Sequence, residues 1–413
     1  MTPAPAATAS GPLAGLRVIE LAHVMAGPTC GLMLADLGAD VIKVEKIPDG
    51  DDSRRFAPPT IEGESAAFLM LNRHKRGVAL DLKTEGGREV LRRLLKRTDV
   101  VIENFRRGAL ERLGFGYDAL RRDNPGLIYC DISGFGRDGP YADRPGLDLI
   151  AQAMSGLTSI TGEGPGRPPV KLGPPATDIV AGILAAMGIA AAYAHRLKTG
   201  QGQRVETSLM EAGIALTYWQ SAMALATGQS PAPLGSAHPL SAPYQAFETL
   251  DGWIVVGAPS QTLWLRLLAA IETPELANDT RFADNPTRKR NEADLIALLA
   301  PIFRRRPSDE WLPRLAAAGI PAGPVNSIAD MLEDPQTLAR EMVVEVGHSR
   351  LGMVKTLGCP VKFSDTPASI GQGAPLLGEH TRAVLRDHGY STAEIDGLIA
   401  AGAVREADGL QGS

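Results

Sequence analysis

The chain has 413 residues, of which 44% are hydrophobic and 22% are charged, and its formal net charge is −5. This length exceeds what one ordinary hydrophobic core covers and favours two domains, and the composition is that of a folded globular protein. The slightly acidic balance excludes the basic footprint of a nucleic-acid-binding surface.

Strands and helices alternate through the first half of the chain, after a Pro/Ala/Thr/Ser-rich tail at residues 1–11. Alternating elements of this kind predict a doubly wound, Rossmann-like α/β domain with a parallel sheet. Residues 47–66 have no hydrophobic period and are predicted to form a surface loop. The predicted strands cover 16–22, 41–46, 77–82, 99–105, 127–135 and 203–209. The predicted helices cover 27–38, 83–97 (with Thr84 as N-cap), 108–113 and 117–123.

The stretch 171–209 contains the longest apolar segment. A Gly-Pro-Pro turn leads to Thr177-Asp178, an apolar run follows, cations occupy the last turn, and Gly200 ends the pattern. The run is apolar nearly all round, which predicts a buried helix. Its length raises the question of a membrane span, but its weak hydrophobicity and lack of flanking anchors favour a core helix.

After a further predicted helix at 208–227, the pattern of predicted elements changes. Two strands flank Asp251-Gly252, a hairpin signal, and helices are predicted at 260–271, 287–305 and 308–318. This pattern predicts a small α+β domain between two linkers, 229–243 and 319–332. Two strands and two helices complete the C-terminus. The predicted division is a tail (1–11), a large α/β domain (12–228), a linker with the small domain (229–332) and a return to the large domain (333–413).

Several standard sites are absent from the sequence. The motif GFGRDG (134–139) matches a dinucleotide fingerprint, but Pro140-Tyr141 follow where a helix should open, so we reject that interpretation. Neither the histidines nor Cys30, Cys130 and Cys359 have the spacing of a metal site or a disulfide framework, which fits a reducing cytoplasm. No secretory signal is evident.

Asp178 is the main candidate for chemistry. A carboxylate at a helix N-terminus faces free N–H groups and the positive end of the helix dipole, which should keep it ionised. It is then either a helix N-cap or a nucleophile. His23 ends the first strand, where ligands bind in open α/β sheets, and is either a site residue or a loop residue. Other acids at or beyond strand ends are Glu45, Glu103, Asp131 and Asp148, and one of them is a candidate second acid near Asp178.

The chain resembles the class III coenzyme A transferases, the formyl-CoA transferase or CaiB–BaiF family, from about residue 12 to the end. The matching stretches are LAHVMAGP (21–28), GADVIKVEKIPDGD (38–51), NRHKRGVALDLKTEGG (72–87), VVIENFRRGALERLG (100–114), SGFGRDGPYADRPGLD (133–148), TDIVAGILAAMGI (177–189), KTGQGQRVETSL (198–209), GIPAGPVNSI (319–328) and APLLGEHT (374–381).

The resemblance implies that Asp178 attacks an acyl-CoA thioester, forms a mixed anhydride and then becomes an aspartyl-CoA thioester. It implies an interlocked homodimer with the site at the subunit interface, because two linkers make each subunit ring-like. It also implies acyl-CoA and a carboxylic acid as substrates, with no tightly bound cofactor, metal, nucleic acid or membrane partner. The residues implied in CoA binding are Lys46, Leu80, Lys83, Asn104, Phe105, Arg106, Arg112, Arg144 and Asp148.

The substrate is less determined than the family. Met25 stands where formyl-CoA transferases have glutamine, and VVGAPS replaces their glycine-run loop, which disfavours oxalate and formate. The segment 235–258 most resembles transferases that use succinyl-CoA and another dicarboxylate, so His23, Met25, His238 and Tyr244 are candidate substrate contacts. Related 2-methylacyl-CoA racemases have a base histidine where this chain has Leu147, which disfavours racemisation. Two further classes of protein compete with the transferase, an NAD-dependent oxidoreductase and a non-catalytic acyl-CoA-binding protein.

Overall fold

Short strands and longer helices alternate through the first half of the chain. The computed structural model describes residues 11–368 and 370–407, so the predicted tail lies outside it except for Gly11. The strands are β1 Arg17–Glu20, β2 Asp40–Lys46, β3 Thr60–Ile61, β4 Glu64–Ser65, β5 Arg76–Leu80, β6 Val100–Glu103, β7 Ile128–Ser133, β8 Arg204–Ser208, β9 Tyr244–Glu248, β10 Trp253–Gly257, β11 Ala322–Pro324, β12 Val343–His348, β13 Gly352–Leu357 and β14 Val404–Arg405.

The helices are amphipathic or apolar segments between these strands. They are α1 Ala26–Asp36, α2 Ala66–Asn72, α3 Glu85–Leu95, α4 Ala109–Arg112, α5 Tyr117–Asp123, α6 Asp148–Met154, α7 Leu157–Ile160, α8 Ala176–Thr199, α9 Leu209–Ala215, α10 Tyr218–Thr227, α11 Gln261–Ala270, α12 Asn285–Arg290, α13 Glu292–Phe303, α14 Ser308–Ala317, α15 Ile328–Glu333, α16 Pro335–Ala339, α17 Thr381–Asp387 and α18 Thr392–Ala400. Short 3₁₀ turns cover Asp52–Arg55, Pro274–Asn278 and Thr280–Phe282.

Two compact units contain these elements. One comprises the described chain up to Leu157, Leu172–Ser221 and the chain from Pro335 onward, and the other comprises Thr158–Lys171 and Ala222–Asp334. The sequence predicts the corresponding boundaries at residues 228 and 332.

The first unit is built on a mostly parallel sheet in the order β14-β5-β2-β1-β6-β7-β8. Five neighbouring pairs are parallel, and the edge strand β14 pairs antiparallel with β5. The chain starts at the centre with β1, adds strands on one side and then crosses to the other side. Ligands of such sheets bind beyond the carboxyl ends of the two strands where the order reverses, which here are β1 and β6.

Helices cover both faces of this sheet, and neighbouring strand residues point to opposite faces. On one face Val18, Val100 and Ile102 pack with α1 and α8. On the other face Ile19 and Val101 pack with α3, α17 and α18. The mixed α/β class of the prediction is therefore confirmed.

The second unit contains a three-stranded antiparallel sheet in the order β11-β10-β9. The hairpin predicted around Asp251-Gly252 is confirmed, since β9 and β10 pair antiparallel on either side of it. Its core is aromatic, with Trp264, Phe303 and Trp311 buried among helix side chains. The segment 319–332 is more than the predicted linker, because β11 lies within it and completes this sheet.

Other local predictions were wrong where tertiary contacts decide the structure. The surface loop predicted at 47–66 ends in a small hairpin, β3–β4, and the start of α2, whose N-cap Ser65 accepts a hydrogen bond from the Phe68 N–H. The helix predicted at 208–227 is divided into α9 and α10. The prediction that α8 is buried holds for the side that faces the sheet and is wrong for the opposite side, because Ile183 and Met187 are 47% and 63% exposed.

Length and composition alone would allow one helix in the described part of the chain, α8, to cross a membrane. This is weak evidence, because core helices of soluble proteins meet the same criteria. Residues Ala181, Ala185 and Ile189 of α8 are fully buried in the core that it shares with α1 and the sheet. The contacts of α8 are therefore those of a core helix with one uncovered face.

Candidate active site

The N-terminus of α8 is capped from another part of the chain. Asp178 is its third residue, and the N-cap position is Pro175, so the interpretation of Asp178 as an N-cap is wrong. The cap comes from Asp148, whose Oδ1 accepts hydrogen bonds from the Thr177 N–H (3.0 Å) and the Thr177 hydroxyl (2.8 Å). Asp148 thereby satisfies a free donor of the helix and leaves Asp178 available.

Asp178 has no hydrogen-bonding partner in the described part of the chain. Within residues 11–368 and 370–407, no hydrogen bond or ion pair reaches its side chain, which is half-buried. Burial and then the negative charge of Asp148 raise the pKa of Asp178 from 3.8 to about 7. Burial therefore opposes the helix dipole, which was expected to keep this group ionised. A helix dipole contributes about 0.3–1 kcal/mol, whereas the step from 3.8 to about 7 corresponds to about 4 kcal/mol.

A buried amide connects the segment before α8 to its cap. The Gln152 side chain, which is fully buried, donates from Nε2 to Asp148 Oδ2 (2.8 Å). Its Oε1 accepts from the Leu172 N–H (2.9 Å), at the start of the turn that leads into α8. Gln152 is not among the residues predicted from the sequence, because α6 was not predicted. The available signal was the four-residue spacing from Asp148, which places both side chains on one helix face.

The start of α1 lies against the second turn of α8. A methyl group built on Gly182 would be 2.6 Å from the Ala26 carbonyl oxygen and 2.6 Å from Thr29 Cβ, so only glycine allows this approach. Gly182 follows Asp178 by about one helical turn on the same face. The loop that precedes α1, His23–Met25, is therefore held near the Asp178 end of α8.

The loop His23–Met25 lies at the carboxyl end of β1 and is braced from the end of β6. The Asn104 amide accepts from the His23 N–H (2.9 Å) and donates to the His23 carbonyl oxygen (2.8 Å). The imidazole packs edge-on against Phe105, with ring centroids 5.4 Å apart. Burial and then the charge of Lys43 lower the pKa of His23, which favours the neutral ring. Asn104, predicted as a CoA contact, thus braces this loop.

The other residues predicted to bind CoA lie at or beyond the carboxyl ends of the parallel strands, which we call the carboxyl edge of the sheet. Lys46 ends β2 and forms an ion pair with Asp52 (2.7 Å), and Leu80 ends β5 and is buried. Lys83, Arg106 and Arg112 are exposed, and no ion pair to them occurs within the described residues. Arg144 lies over the Tyr141 ring at 4.0 Å. The carboxyl edge of the sheet therefore carries three cations, Lys83, Arg106 and Arg112, that form no ion pair with the described residues.

The predicted substrate contacts divide between the two units. His23 and Met25 belong to the first unit, where Met25 immediately precedes α1. His238 and Tyr244 belong to the second unit, where their rings stack with centroids 5.1 Å apart and planes 3° apart. A role of His238 and Tyr244 in substrate binding stays a prediction.

The motif GFGRDG has no helix inside it, as expected from its sequence. It follows β7 and continues as turns until α6 begins at Asp148. Arg137 of the motif binds Glu103 at the end of β6 (3.1 Å) and also Glu111. A group of three or more His, Cys, Asp or Glu side chains arranged for a metal ion is not found in the described part of the chain.

Comparison with known proteins decides the family. The model of CoA-transferase family III matches residues 13–381. The chain belongs to CoA-transferase family III.

A succinate–glutarate CoA-transferase of Agrobacterium fabrum is 41% identical over 382 residues, which cover 91% of this chain and 95% of that protein. An acetyl-CoA:oxalate CoA-transferase of Acetobacter aceti is 38% identical over 390 residues, which cover 94% and 98%. The crystal structure of a CaiB/BaiF family protein from Brucella suis superposes with a TM-score of 0.84 at 41% identity, covering 92% of this chain and all of that one.

This family III CoA-transferase moves CoA from an acyl-CoA to a carboxylic acid. The predicted class and enzyme activity are confirmed by the family match and by relatives that are named CoA-transferases. At the position of the racemase base, Leu147 is 71% exposed and has no group that can carry a proton.

Proposed function

We propose that Asp178 is the nucleophile of the transfer and that it carries CoA as an aspartyl thioester. The observation that supports this role is a half-buried carboxylate near a helix N-terminus whose neighbour, Asp148, already forms the helix cap. A structural carboxylate would be expected to accept hydrogen bonds itself. A desolvated, basic and unpaired carboxylate suits attack on a thioester carbonyl.

The proposed reaction consists of two symmetric halves. An Asp178 oxygen attacks the thioester carbonyl, the C–S bond breaks and CoA leaves as a thiolate, which gives an acyl-aspartyl anhydride. The thiolate attacks the Asp178 carbonyl carbon and expels the first acid as a carboxylate. The acceptor carboxylate then attacks the aspartyl thioester and releases CoA thiolate, which attacks the acceptor's carbonyl and regenerates Asp178. No proton is consumed, so the site needs to exclude water rather than to supply an acid.

Chemical trapping tests the covalent step. Incubation with acyl-CoA followed by hydroxylamine should convert Asp178 to a hydroxamate, which mass spectrometry of the peptide identifies. Asp178→Asn should form no adduct and should not turn over, while the exposed Asp143→Asn should behave as the wild type. Turnover by Asp178→Asn, or an adduct on another residue, would overturn the assignment.

For the cofactor end of the substrate, we propose that Lys83, Arg106 and Arg112 bind the phosphates of CoA. They are unpaired cations near the carboxyl edge of the sheet, and guanidinium and ammonium groups suit phosphate. A hydrogen bond to a charged group contributes about 1.5–3 kcal/mol, so each alanine variant should raise KM for acyl-CoA by about tenfold or more with little change in kcat. Arg92→Ala on α3, where Arg92 pairs with Glu85 and Glu89, is the control. An unchanged KM would exclude the variant position from the phosphate site.

For the substrates, we propose succinyl-CoA as donor and a second dicarboxylic acid as acceptor. The support is the likeness of residues 235–258 to such transferases and the name of the Agrobacterium relative. The Acetobacter relative differs in its donor, acetyl-CoA, but its acceptor is also a dicarboxylate.

A donor–acceptor panel followed by mass spectrometry tests this choice. Succinyl-CoA and acetyl-CoA would each be offered with glutarate, oxalate and butyrate. Succinyl-CoA with glutarate should give the largest kcat/KM. Butyrate is the matched control, because it has one carboxylate fewer than glutarate and should be a poor acceptor. Equal rates with butyrate would contradict the dicarboxylate proposal.

We also propose that the active form is an interlocked homodimer in the cytoplasm. Apolar side chains of the first unit that face solvent in one chain support the dimer, and they are Leu147, Leu149, Ile150, Ile183 and Met187. Cys30, Cys130 and Cys359 are unpaired thiols, which supports a reducing compartment.

A further inference from the structure

A row of charged side chains lies buried beneath the loop His23–Met25. Asp51, Lys43, Glu20 and Lys75 are each fully shielded from solvent. Lys43 Nζ is 2.8 Å from Asp51 Oδ2 and 2.9 Å from Glu20 Oε1, and Lys75 Nζ is 2.8 Å from Glu20 Oε2. We call these four residues the buried charge chain. Its two acids and two lysines balance in charge, and the reaction proposed for Asp178 uses none of them.

The buried charge chain binds the main chain on both sides of the loop. Lys43 donates to the Ala22 carbonyl oxygen (3.0 Å), and Lys75 donates to the Pro28 carbonyl oxygen (2.9 Å). Between these points the Val24 N–H donates to both carboxylate oxygens of Asp51 (3.1 and 3.2 Å). Three successive attachments therefore bracket the turn from β1 into α1.

Val24 has a backbone conformation that its side chain disfavours. Its φ is +67°, in the left-handed region that glycine occupies freely and that β-branched residues rarely adopt. Such a conformation persists only where the surroundings hold it. The bond from the Val24 N–H to a buried, ion-paired carboxylate supports it directly, beside the Asn104 bonds to the main chain of His23.

Glycine at position 31 is needed for this arrangement. A methyl group built on Gly31 would lie 1.8 Å from Glu20 Oε2 and 3.3 Å from Lys75 Nζ, so α1 rests directly on the buried charge chain. The first turn of α1 in turn contacts Gly182 of α8, one turn from Asp178. The contacts thus run continuously from Asp51 through the loop to the helix that carries the nucleophile.

We propose that Asp51, held by Lys43, is a positioning residue for CoA transfer: it fixes Val24 in the left-handed conformation and so places the loop His23–Met25 beside Asp178. A loop that relaxes to an ordinary conformation shifts its main chain relative to the reacting atoms. Displacements of about 1 Å lower rates by about a hundredfold in well-oriented sites. This role rests on the proposed function of Asp178, because its readout is the rate of transfer.

Two matched double variants test the Asp51 side-chain oxygens, which accept from the Val24 N–H and also from the Ser53 N–H and hydroxyl. Lys43→Met/Asp51→Asn and Lys43→Met/Asp51→Ala both remove the ion pair, but only the asparagine keeps an oxygen for the Val24 N–H. The alanine form should have a kcat about tenfold or more below that of the asparagine form, with KM for succinyl-CoA within about threefold. Equal kcat values in the two forms would overturn the proposal.

Changes at Val24 test the same step from the side of the loop. Adding Val24→Gly to Lys43→Met/Asp51→Ala should restore much of the lost kcat, because glycine adopts positive φ without support. Val24→Pro alone, which cannot adopt positive φ, should lose kcat by about tenfold or more although every charge remains. No rescue by glycine in a folded variant would overturn the positioning role. If the double variants fail to fold, full activity of Val24→Pro would overturn it independently.

Trapping of the Asp178 hydroxamate in the same samples separates the two proposals. A wild-type enzyme that forms no adduct would overturn both proposals. A wild-type enzyme that forms the adduct, with variants that acylate equally fast, would overturn only the role of Asp51. A slower adduct in the alanine form, restored by Val24→Gly, is the expected result.

Discussion

As the proposed nucleophile, Asp178 has to be ionised to attack a thioester, yet burial and the charge of Asp148 favour its protonated form. Both effects disappear once the side chain becomes an anhydride or a thioester, because the covalent forms carry no charge. The site therefore destabilises the free carboxylate relative to the intermediates of the reaction. The higher basicity that accompanies a raised pKa also makes the oxygen a better nucleophile.

The first prediction concerns the pH dependence of acylation. For the free enzyme, kcat/KM with acyl-CoA should rise about tenfold per pH unit in acid and level off near pH 7, because only ionised Asp178 attacks. Asp148→Asn removes a like charge and should move the midpoint to lower pH. The rate of Asp178 adduct formation between pH 5 and 9 measures both midpoints. Asp143→Asn, a change of an exposed acid, should leave the midpoint unchanged, and a wild-type midpoint near 4 would contradict the burial argument.

The second prediction concerns stability. The folded state binds a proton at Asp178 more tightly than the unfolded state, so this group lowers the free energy of unfolding as pH rises from about 4 to 7. The loss has an upper limit of about 4 kcal/mol for the step from 3.8 to about 7. Asp178→Asn avoids this loss and should unfold at higher temperature than the wild type at pH 8, with no difference near pH 4. Calorimetry at both pH values tests the sign of this difference in unfolding temperature. If the carboxylate stabilises the fold through its charge, Asp178→Asn should instead unfold at a lower temperature than the wild type at pH 8.

At the level of elements, the site depends on how closely α1 and α8 approach. The third prediction is that Gly182→Ala destabilises the protein and lowers kcat, because its methyl group would meet the Ala26 carbonyl oxygen at 2.6 Å. Overpacking of this kind costs about 1–3 kcal/mol. Gly397→Ala in α18 is the matched helical control, since nothing lies within 4 Å of the added methyl group. Thermal unfolding and kcat should fall for the first variant only, and Gly397→Ala should gain stability from its better helix propensity.

The sequence predicted helices and strands correctly where neighbouring residues determine them. Thr84 is the N-cap of α3, as expected, with its hydroxyl accepting the Gly87 N–H at 3.0 Å. The sequence did not reveal β14, a two-residue strand that exists because it pairs with β5, more than 300 residues away. It also did not reveal α6, which follows Pro145-Gly146 and reads as loop.

The same limit applies to the candidate site. Asp178 stood out because a lone acid precedes a long apolar run, which is a local pattern. Its raised pKa was not predicted because burial and the charge of Asp148 are tertiary effects. The buried charge chain was invisible for the same reason. No local sequence pattern sets Lys43 and Lys75 apart, whereas the fold buries both side chains completely.

At the scale of the whole molecule, the path of the chain bears on assembly. The chain contributes Thr158–Lys171 to the second unit, returns to the first at Leu172, forms the rest of the second from Ala222 and returns to the first at Pro335. The apolar face of α8, including Ile183 and Met187, is left uncovered in a single chain. Exposed apolar patches of this kind are typical of interaction surfaces. An interlocked dimer would cover this face and would also make separation of the subunits depend on unfolding.

The fourth prediction follows from that topology. The solution mass should be about twice the 43.6 kDa of one chain and should not fall on dilution, because two linked rings cannot separate while folded. Tagged and untagged proteins mixed in the folded state should therefore form no hybrid over hours, whereas unfolding and refolding them together should give hybrids. Ordinary dimers exchange subunits by dissociation and become monomers at low concentration. Rapid exchange between folded proteins would thus exclude interlocking while still allowing a dimer.

Met187→Glu, which places a charge on the uncovered face of α8, should lower the yield of dimer on refolding if that face is buried between subunits.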